Sequence, residues 1–395
     1  MKPAVKLRLP HPKTRSSRNS RTCSAAEMNL AEMPLTQYPP IADRLITWQK
    51  QHGRHDLPWQ NTHDPYAIWV SEIMLQQTQV AAVIGYYHKF MQRFPTIASL
   101  AAVSQDEVMQ YWSGLGYYSR ARNLHKAAQQ VMSLHAGEFP RDFDAIQALP
   151  GIGRSTAAAI SSFAFGLPQP ILDGNVKRVF ARYFLIEGWP GLPKVEKQLW
   201  QIAEAMQPQT EMGTYAQALM DLGATVCVRR PRCANCPLQE DCGALLTERV
   251  GELPASRPRK AIPEKAVQML VMTHGSRVLL QKRPDSGIWG GLWSLPELGA
   301  GEDVLTWGRQ VFGVEGDSLT PLMQLTHVFT HFKLHITANH MLVNIMPLQA
   351  REPGLQWMPL DEAIDAGLPV PVRKILQALV ARQQIAQHGQ QLALV

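Results

Sequence analysis

The chain has 395 residues, of which 45% are apolar, and a net charge of +7. This length suggests two or three domains with sizeable cores, and no apolar run approaches the roughly 20 residues that a membrane-spanning helix needs. The N-terminus lacks the apolar centre of a secretion signal, so we expect a soluble protein located in the cytoplasm, with no membrane partner.

The first 34 residues predict a disordered basic tail, because they are rich in Arg, Ser and Pro and lack apolar periodicity. Residues 1–30 hold seven Lys or Arg against one Glu, so this segment carries +6 of the net charge. The composition suits a mitochondrial transit peptide, although three prolines within the first twelve residues would interrupt its amphipathic helix. Mitochondrial targeting therefore stays open, beside a flexible arm or a natural start at Met28 or Met33.

Residues 35–226 predict an all-α domain. Apolar residues recur at spacings of three and four and are interrupted by Gly and Pro, with little strand alternation. Asp64 followed by Pro65 marks a helix start, and the spacing predicts a helix from there to Val80. Glu72 lies on this helix. Taken alone, it is an ordinary solvated glutamate.

A glycine-flanked turn, Leu149–Gly153, is predicted between two short helices, Phe143–Leu149 and Arg154–Phe165. Gly151 and Gly153 allow successive N–H groups to point outward, and the following helix adds its positive end. Such a hairpin can hold a DNA phosphate without reading base sequence. The alternative is a plain helix connection that binds no ligand.

A lone carboxylate, Asp173, follows the hairpin and precedes Gly174. An Asp-Gly pair is a common turn former, so only its placement relative to the hairpin and Glu72 argues for chemistry. Cleavage of an N-glycosidic bond needs a proton for the leaving base and stabilisation of the cationic sugar, and two carboxylates can divide these tasks. The order of these features points to enzymes that excise damaged or mispaired bases.

Four of the five cysteines fall within residues 227–250, at the end of the helical region. They follow the pattern C-x5-C-x2-C-x5-C, which predicts metal ligation in a reducing compartment instead of a disulfide framework. Four thiolates suit a [4Fe–4S] cluster, with zinc as the alternative. The four candidate ligands are Cys227, Cys233, Cys236 and Cys242.

A Pro-rich basic segment, residues 251–264, predicts a linker to a C-terminal α+β domain, residues 265–395. The alternation of apolar residues predicts four strands and two helices in this domain. The strands are Val267–Met272, Val278–Lys282, Leu325–Phe329 and Leu334–Val343, and the helices are Asp303–Phe312 and Val372–Gln384.

These segments resemble the helix-hairpin-helix DNA glycosylase superfamily and, within it, the MutY-type adenine DNA glycosylases. The resemblance covers roughly residues 35–380. Its most specific pieces are SEIMLQQTQV (71–80), GLGYYSRARNLHKAA (114–128), LPGIGRSTA (149–157), ILDGNVKRV (171–179) and the cysteine loop. It implies a base-excision repair enzyme that acts, as a monomer, on double-stranded DNA with adenine opposite 8-oxoguanine or guanine. We expect it to serve the bacterial nucleoid.

The resemblance also assigns catalytic roles. Glu72 would protonate the extruded adenine at N7 and then activate water, while Asp173 would stabilise the cationic sugar or trap it covalently. Asn175 would position the sugar or Asp173. Relatives that also nick the backbone carry a lysine where this chain has Ser155, which implies base removal without efficient strand cleavage.

The DNA-binding set implied by the resemblance contains the two hairpin glycines, Arg178 and three residues near the lesion. Gln76 and Gln77 would probe the helix, and Tyr117 would stack beside the damaged guanine. Without the family, the alternative explanation of Tyr117 is a half-buried core aromatic. In the cysteine loop the family pattern has six residues between the first two cysteines, whereas this chain has five, VRRPR. The shorter gap affects the shape of the basic loop that touches DNA more than it affects metal ligation.

The C-terminal segment KRPDSGIWGGLWSLPE (282–297) looks like the opening of a Nudix hydrolase fold. The glutamate-rich helix with which those hydrolases hold magnesium is missing from the downstream LTWGRQVFGVEG, so pyrophosphatase activity is not expected. The resemblance implies instead a domain that recognises 8-oxoguanine through His327, Phe329, Thr330 and His331. Without the family, this His- and aromatic-rich strand end is better explained as structural.

The sequence therefore predicts a multidomain protein with an all-α helix-hairpin-helix domain, an iron–sulfur loop and a Nudix-like α+β domain. Three other functions stay open. A bifunctional glycosylase-lyase for oxidised pyrimidines shares the hairpin and the cluster, but Ser155 and the appended domain oppose it. A nucleotide-pool Nudix hydrolase would lack the carboxylates that bind magnesium. A non-catalytic DNA-binding module would not explain the placement of Glu72 and Asp173.

Overall fold

The computed structural model describes residues 40–258, 261–314, 316–344 and 354–392. The predicted basic tail, including the alternative starts at Met28 and Met33, lies outside the described residues.

Twelve α-helices form the N-terminal domain within the part of the chain described. The first six are α1 (Ala42–His52), α2 (Pro65–Leu75), α3 (Val80–Arg93), α4 (Ile97–Ala102), α5 (Gln105–Trp112) and α6 (Ser119–Leu134). The others are α7 (Phe143–Ala148), α8 (Arg154–Phe165), α9 (Gly174–Tyr183), α10 (Pro193–Ala205), α11 (Met212–Asp221) and α12 (Gly243–Leu246). A π-helical turn, Leu222–Val226, continues α11 into the cysteine loop.

The helical domain has two cores, and α8 contributes to both. The first core, around Trp69 and Trp112, belongs to α2–α7. The second, around Phe180, belongs to α1 and α9–α11. Ile160 of α8 packs in the first core, whereas Ala158 and Ala159 pack in the second. The small residues of α8 thus let two lobes approach closely, with a cleft between them.

The helix that starts at Pro65 ends at Leu75, five residues before the predicted end at Val80. Gln77 takes a left-handed conformation with φ 57, which no helix residue adopts. The chain restarts as α3 at Val80. Because residues 76–79 carry no helix breaker, the interruption comes from tertiary contacts and not from local propensity.

The C-terminal domain is a mixed sheet of seven strands with three helices among its described residues. The strands are β1 (Glu264–His274), β2 (Arg277–Lys282), β3 (Trp293–Ser294), β4 (Glu297–Gly299), β5 (Gly316–Val328), β6 (Lys333–Val343) and β7 (Leu355–Pro359). The helices are α13 (Val304–Phe312), α14 (Leu360–Asp365) and α15 (Val370–Leu392). The strand order is β3-β2-β1-β6-β5, with β4 on β1 and β7 on β2, and only β1 and β6 run parallel. All four predicted strands and both predicted helices are present.

The two domains share one continuous hydrophobic core, which runs from α2–α8 into the sheet and α15. Polar contacts reinforce it: Ser113 donates to the Leu368 carbonyl at 2.7 Å, and Arg373 donates to the Ser113 hydroxyl at 3.0 Å. Leu253, within the predicted linker, is only 4% exposed, and its carbonyl accepts from Arg182 at 2.8 Å. The first residues of the predicted linker therefore pack against the helical domain.

Among the described helices, none has the length and apolar character needed to cross a membrane.

Candidate active site

Glu72 and Asp173 face each other across the cleft between the two lobes. Glu72 comes from α2 in the first lobe, and Asp173 is the residue that caps the N-terminus of α9 in the second. Both line a cavity of about 290 Å³, together with Ser155 and Asn175. The structure thus brings together the four residues for which the sequence predicts a role in the reaction.

Glu72 has the electrostatics of a proton donor at neutral pH. No described residue donates a hydrogen bond to its carboxylate, and the apolar Ile68 and Leu75 of α2 line a cavity together with it. Burial raises its pKa from 4.5 to about 7, and the negative charge of Asp173 adds to this effect. Glu72 therefore keeps a proton near neutrality without a partner that would hold the charged form.

Asp173 is held in a fixed orientation by its position as a helix cap. Its Oδ1 accepts from the Val176 backbone N–H at 2.8 Å, and its Oδ2 accepts from the Asn175 side chain at 3.1 Å. Burial raises the pKa of Asp173, while these hydrogen bonds and the nearby Arg178 lower it in part. The carboxylate is thus oriented toward the cavity by groups that stabilise its charged form.

Ser155 has a structural contact in addition to its place in the cavity. Its hydroxyl accepts from the Leu172 backbone N–H at 3.0 Å, directly before Asp173. The hydroxyl therefore ties the first turn of α8 to the segment that carries Asp173. A serine offers no amine that could attack a sugar.

A second cavity, of about 500 Å³, is also lined by Glu72. It is lined by Arg54, Leu57, Trp59 and Gln217, among others. Arg54 pairs with Asp221, which is 0% exposed, through its backbone N–H at 2.9 Å, its Nε at 2.8 Å and its Nη2 at 2.7 Å. This pair attaches the segment that walls the cavity to the end of α11. Sequence reasoning missed it, because the two residues lie 167 positions apart without a shared motif.

Replacing Arg54 by glutamine is expected to destabilise the protein by about 3 kcal/mol, because the buried Asp221 carboxylate loses its cation. The double variant R54Q/D221N should recover part of the loss. Urea unfolding midpoints of the wild type and the two variants test this. A single variant as stable as the wild type, or a double variant less stable than the single one, would contradict it.

The helix-hairpin-helix turn lies where the sequence predicts it. Gly151 has φ +82, and a side chain there would meet Asn123 Cβ at 2.8 Å. Gly153 caps α8, and no atom lies within 4 Å of the position where its Cβ would be. Both glycines are exposed, so the N-terminal N–H groups of α8 are accessible to a phosphate.

Gln76, Gln77 and Tyr117 lie near this turn, and together with Gly151 they line one shallow cavity. Gln76 donates to the Thr156 hydroxyl at 3.3 Å, while Gln77 is exposed. Tyr117 is 44% exposed with φ 47, which is unlike a core aromatic. The structure therefore brings the three residues predicted near the lesion together on one accessible face.

The predicted recognition loop faces this surface from the C-terminal domain. Thr330 Oγ1 lies 3.2 Å from the Tyr117 hydroxyl. Thr330 and His331 are exposed, whereas Phe329 stacks on Phe332 at 4.4 Å and His327 packs at 4.5 Å from Phe329. Of the four residues predicted for recognition, Thr330 and His331 are thus accessible, and an aromatic cluster supports them.

The four cysteines line a single small cavity of about 30 Å³. All four are free, and burial raises the pKa of the Cys236 thiol to about 12, with the other cysteines adding to the effect. The nearest cation is Arg182, which donates to Cys227 Sγ at 3.3 Å. The shortened first gap still leaves all four thiols in the lining of one cavity, and four cysteines are the ligand set that a [4Fe–4S] cluster uses. No compact group of His, Cys, Asp or Glu that suits a single metal ion occurs among the described residues.

Arg178 is partly buried, and its guanidinium contacts protein atoms. Its Nε donates to the Cys227 carbonyl at 2.7 Å, and its Nη2 donates to Asn175 Oδ1 at 2.9 Å and to the Gly223 carbonyl at 2.6 Å. The guanidinium therefore connects the cysteine loop to the active-site asparagine. Its predicted contact with DNA stays a prediction, while Arg229, Arg230 and Arg232 in the cysteine loop are exposed.

Comparison with known proteins confirms both halves of the predicted fold. Residues 70–205 match the HhH-GPD superfamily of base excision DNA repair proteins, and residues 267–378 match the NUDIX domain. An adenine DNA glycosylase of Buchnera aphidicola (subsp. Acyrthosiphon pisum, strain APS) is 38% identical over 337 residues, which cover 84% of this chain and 95% of that protein.

Mammalian proteins of the same name are also similar to this chain. The adenine DNA glycosylase of Mus musculus is 33% identical over 409 residues and covers 87% of this chain and 79% of its own length. The Homo sapiens protein is 33% identical over 412 residues, which cover 86% of this chain and 74% of that protein. The similarity thus extends across both domains.

Proposed function

Because the chain belongs to the adenine DNA glycosylase family, and so hydrolyses the N-glycosyl bond of adenine in base-excision repair, we propose its finer specificity. It removes adenine that is mispaired with 8-oxoguanine or guanine and leaves an abasic site with the strand intact. The observation that carries this proposal is the pair of acids in the cleft, Glu72 and Asp173, with a serine beside them. Of the three alternatives, the glycosylase-lyase would need an amine where Ser155 stands, and the Nudix hydrolase lacks its magnesium-binding glutamates. The non-catalytic module leaves the two acids unexplained.

Glu72 provides the proton for the leaving base. A base inside duplex DNA must first be extruded, and the two cavities beside Glu72 leave room for it between the lobes. With a pKa near 7, Glu72 is protonated often enough to donate and is still a competent acid. Protonation at adenine N7 makes the base a neutral leaving group, and the resulting carboxylate can accept a proton from the attacking water.

Asp173 stabilises the positive charge that develops on the sugar as the bond breaks. Its carboxylate is oriented by Val176 N–H and by Asn175, so it needs no reorganisation during the reaction. Asn175 is itself held by Arg178. The carboxylate can alternatively form a short-lived covalent bond to the sugar, which water then hydrolyses.

The opposite base is read from the C-terminal domain and the first lobe together. Gln77 and Tyr117 on the helical side, and Thr330 and His331 on the Nudix-like side, form one accessible surface. These side chains offer amide, hydroxyl and imidazole groups that can hydrogen-bond to the altered edge of 8-oxoguanine. The missing magnesium-binding glutamates fit a domain that recognises DNA and performs no chemistry.

A [4Fe–4S] cluster held by the four cysteines completes the proposed enzyme. When bound, it joins the ends of the loop through four thiolates and so fixes the exposed arginines of this loop. It performs no step of the excision. Free thiols persist in a reducing compartment, so we place the protein in the cytoplasm. Absorbance near 400 nm in anaerobically purified protein supports the cluster, and zinc with no such absorbance contradicts it.

Ser155 determines that the strand is left uncut. The variant Ser155→Lys is expected to gain strand cleavage at the abasic site, because a lysine amine at this place can form a Schiff base with the sugar. The measurement is the fraction of product strand cut without alkali, with borohydride trapping of the covalent complex. Ser155→Ala is the matched control, and it should cut no more than the wild type.

Failure to trap Ser155→Lys, in a folded variant that still releases adenine, would show that position 155 lies too far from the sugar. Strand cleavage by the wild type itself would contradict the proposal more directly. It would favour the bifunctional enzyme instead.

The substrate is tested by an excision assay on four duplexes, with adenine opposite 8-oxoguanine, guanine, cytosine or thymine. The proposal predicts the highest single-turnover rate opposite 8-oxoguanine, followed by guanine. Equal rates on all four duplexes would contradict the claim that the enzyme recognises the base opposite adenine. Release of a damaged pyrimidine in place of adenine would support the alternative.

A further inference from the structure

Arg120 on α6 is a buried cation without an anionic partner. It is 7% exposed, and no carboxylate of the described residues pairs with it. Its Nη1 donates to three backbone carbonyls where α2 ends: those of Ile73 at 2.9 Å, Met74 at 2.8 Å and Gln76 at 2.7 Å. These carbonyls lie at the negative end of the helix, where a cation is favourable. Arg120 therefore fixes the point at which the helix stops.

The other side of the guanidinium holds a second segment of the chain. Nη2 donates to the Thr78 hydroxyl at 3.2 Å and to the Gly116 carbonyl at 3.0 Å. The guanidinium carbon also lies 5.4 Å from the centre of the Tyr117 ring, which is a cation–π contact. One side chain thus joins the segment after α2 to the loop before α6.

Each joined segment contains an exposed residue in an unfavourable backbone conformation. Gln77 has φ 57 and Tyr117 has φ 47, and neither is a glycine. Side chains with a Cβ reach this region only when surrounding contacts impose it. Arg120 contacts Gln76 and Thr78, which flank Gln77, and it also contacts Gly116 and the ring of Tyr117.

We propose that Arg120 is a positioning residue, which holds Gln77 and Tyr117 in place before DNA binds and thereby determines discrimination between the bases opposite adenine. The inference rests on the proposed function in one respect, namely that these two residues meet the opposite base. Tyr117 in turn contacts Thr330 at 3.2 Å, so the same support extends to the recognition loop. Arg120 makes no contact with Glu72 or Asp173.

The test uses Arg120→Lys and Arg120→Met in the full chain. A lysine keeps the charge, but its compact ammonium cannot reach acceptors on both segments as a planar guanidinium does. Single-turnover excision is measured against enzyme concentration, on duplexes with adenine opposite 8-oxoguanine and opposite cytosine. For 8-oxoguanine the half-saturating concentration should rise about tenfold, since charged hydrogen bonds are lost, while the limiting rate falls less than about threefold.

Leu124→Ala is the matched control. Leu124 lies one turn further along α6 and is 1% exposed, so its truncation destabilises the domain but removes no side-chain hydrogen bond to either segment. Preference for 8-oxoguanine should fall in both Arg120 variants and persist in Leu124→Ala. The inference is overturned if Arg120→Lys keeps the wild-type half-saturating concentration, or if Leu124→Ala loses preference to the same degree.

The two claims can be separated in the same experiment. A wild-type enzyme without preference between the two duplexes would overturn the proposed specificity, and this inference with it. A wild-type enzyme that discriminates, with Arg120 variants that discriminate equally well, would overturn only the role of Arg120.

Discussion

Replacing Glu72 by glutamine is expected to slow adenine release by about 10³-fold, because the amide keeps the shape of the side chain but cannot donate a proton to the base. No other single change considered for this protein should have a larger effect. The measurement is the single-turnover rate of free adenine formation with enzyme in excess. The control is Glu196→Gln, a glutamate paired with Lys177 at 2.5 Å outside the cleft, which should keep its rate within about twofold.

The pH dependence of the wild type follows from the same residue. Burial and the charge of Asp173 raise the pKa of Glu72 to about 7, and the acid acts in its protonated form. The single-turnover rate should therefore be highest below pH 7 and fall about tenfold per pH unit well above it. A single-turnover rate that stays constant from about pH 6 to about pH 9 would exclude Glu72 as the general acid.

Glu72→Gln should lose activity but gain stability above neutral pH. Because the pKa of Glu72 is higher in the folded state than its ordinary 4.5, ionising it destabilises the fold as pH rises from about 4.5 to about 7. Glu72→Gln has no such ionisation. Its free energy of unfolding should exceed that of the wild type at pH 8 by on the order of 2 kcal/mol, and by much less at pH 4.

Replacing Asp173 by asparagine is expected to reduce the rate by about 10²- to 10³-fold, because the cationic sugar loses its fixed negative charge. Asparagine can still accept from the Val176 N–H, so the cap of α9 should survive and stability should change little. The rate is measured as for Glu72→Gln, and the unfolding temperature is measured in parallel.

Asp142→Asn is the control for the helix cap. Asp142 caps α7 by accepting from the Ala145 N–H at 2.9 Å, which is the same geometry away from the cleft. Its amide variant should keep the wild-type rate. If Asp173→Asn also keeps that rate while folded, Asp173 is only a cap, and the turn explanation of the Asp-Gly pair is correct.

Local chemistry allowed much of this site to be predicted from the sequence. Gly151 and Gly153 mark the hairpin because only certain backbone angles permit such a turn, and Asp173 before Gly174 marks a helix start. The strands of the C-terminal domain follow from alternation. The short elements β3, β4, β7 and α14 were not predicted, since two to six residues carry too little periodicity.

Contacts between distant segments could not be predicted. Arg54 and Asp221 form a buried pair across 167 positions, and neither sits in a pattern that identifies the other. The early end of α2 has the same origin, because residues 76–79 suit a helix and Arg120 from another helix imposes the interruption. The contacts of Arg178 with the Cys227 and Gly223 carbonyls could not be predicted either, and its contact with DNA stays a prediction.

The central claim is that two acids remove adenine while a serine leaves the strand intact. It is tested most directly by one reaction on a duplex with adenine opposite 8-oxoguanine, in which free adenine and strand integrity are measured together. The wild type should release adenine and yield a cut strand only after alkali, and folded Glu72→Gln/Asp173→Asn should release none. Undiminished adenine release by the double variant, or a strand cut by the wild type before alkali, would contradict the account.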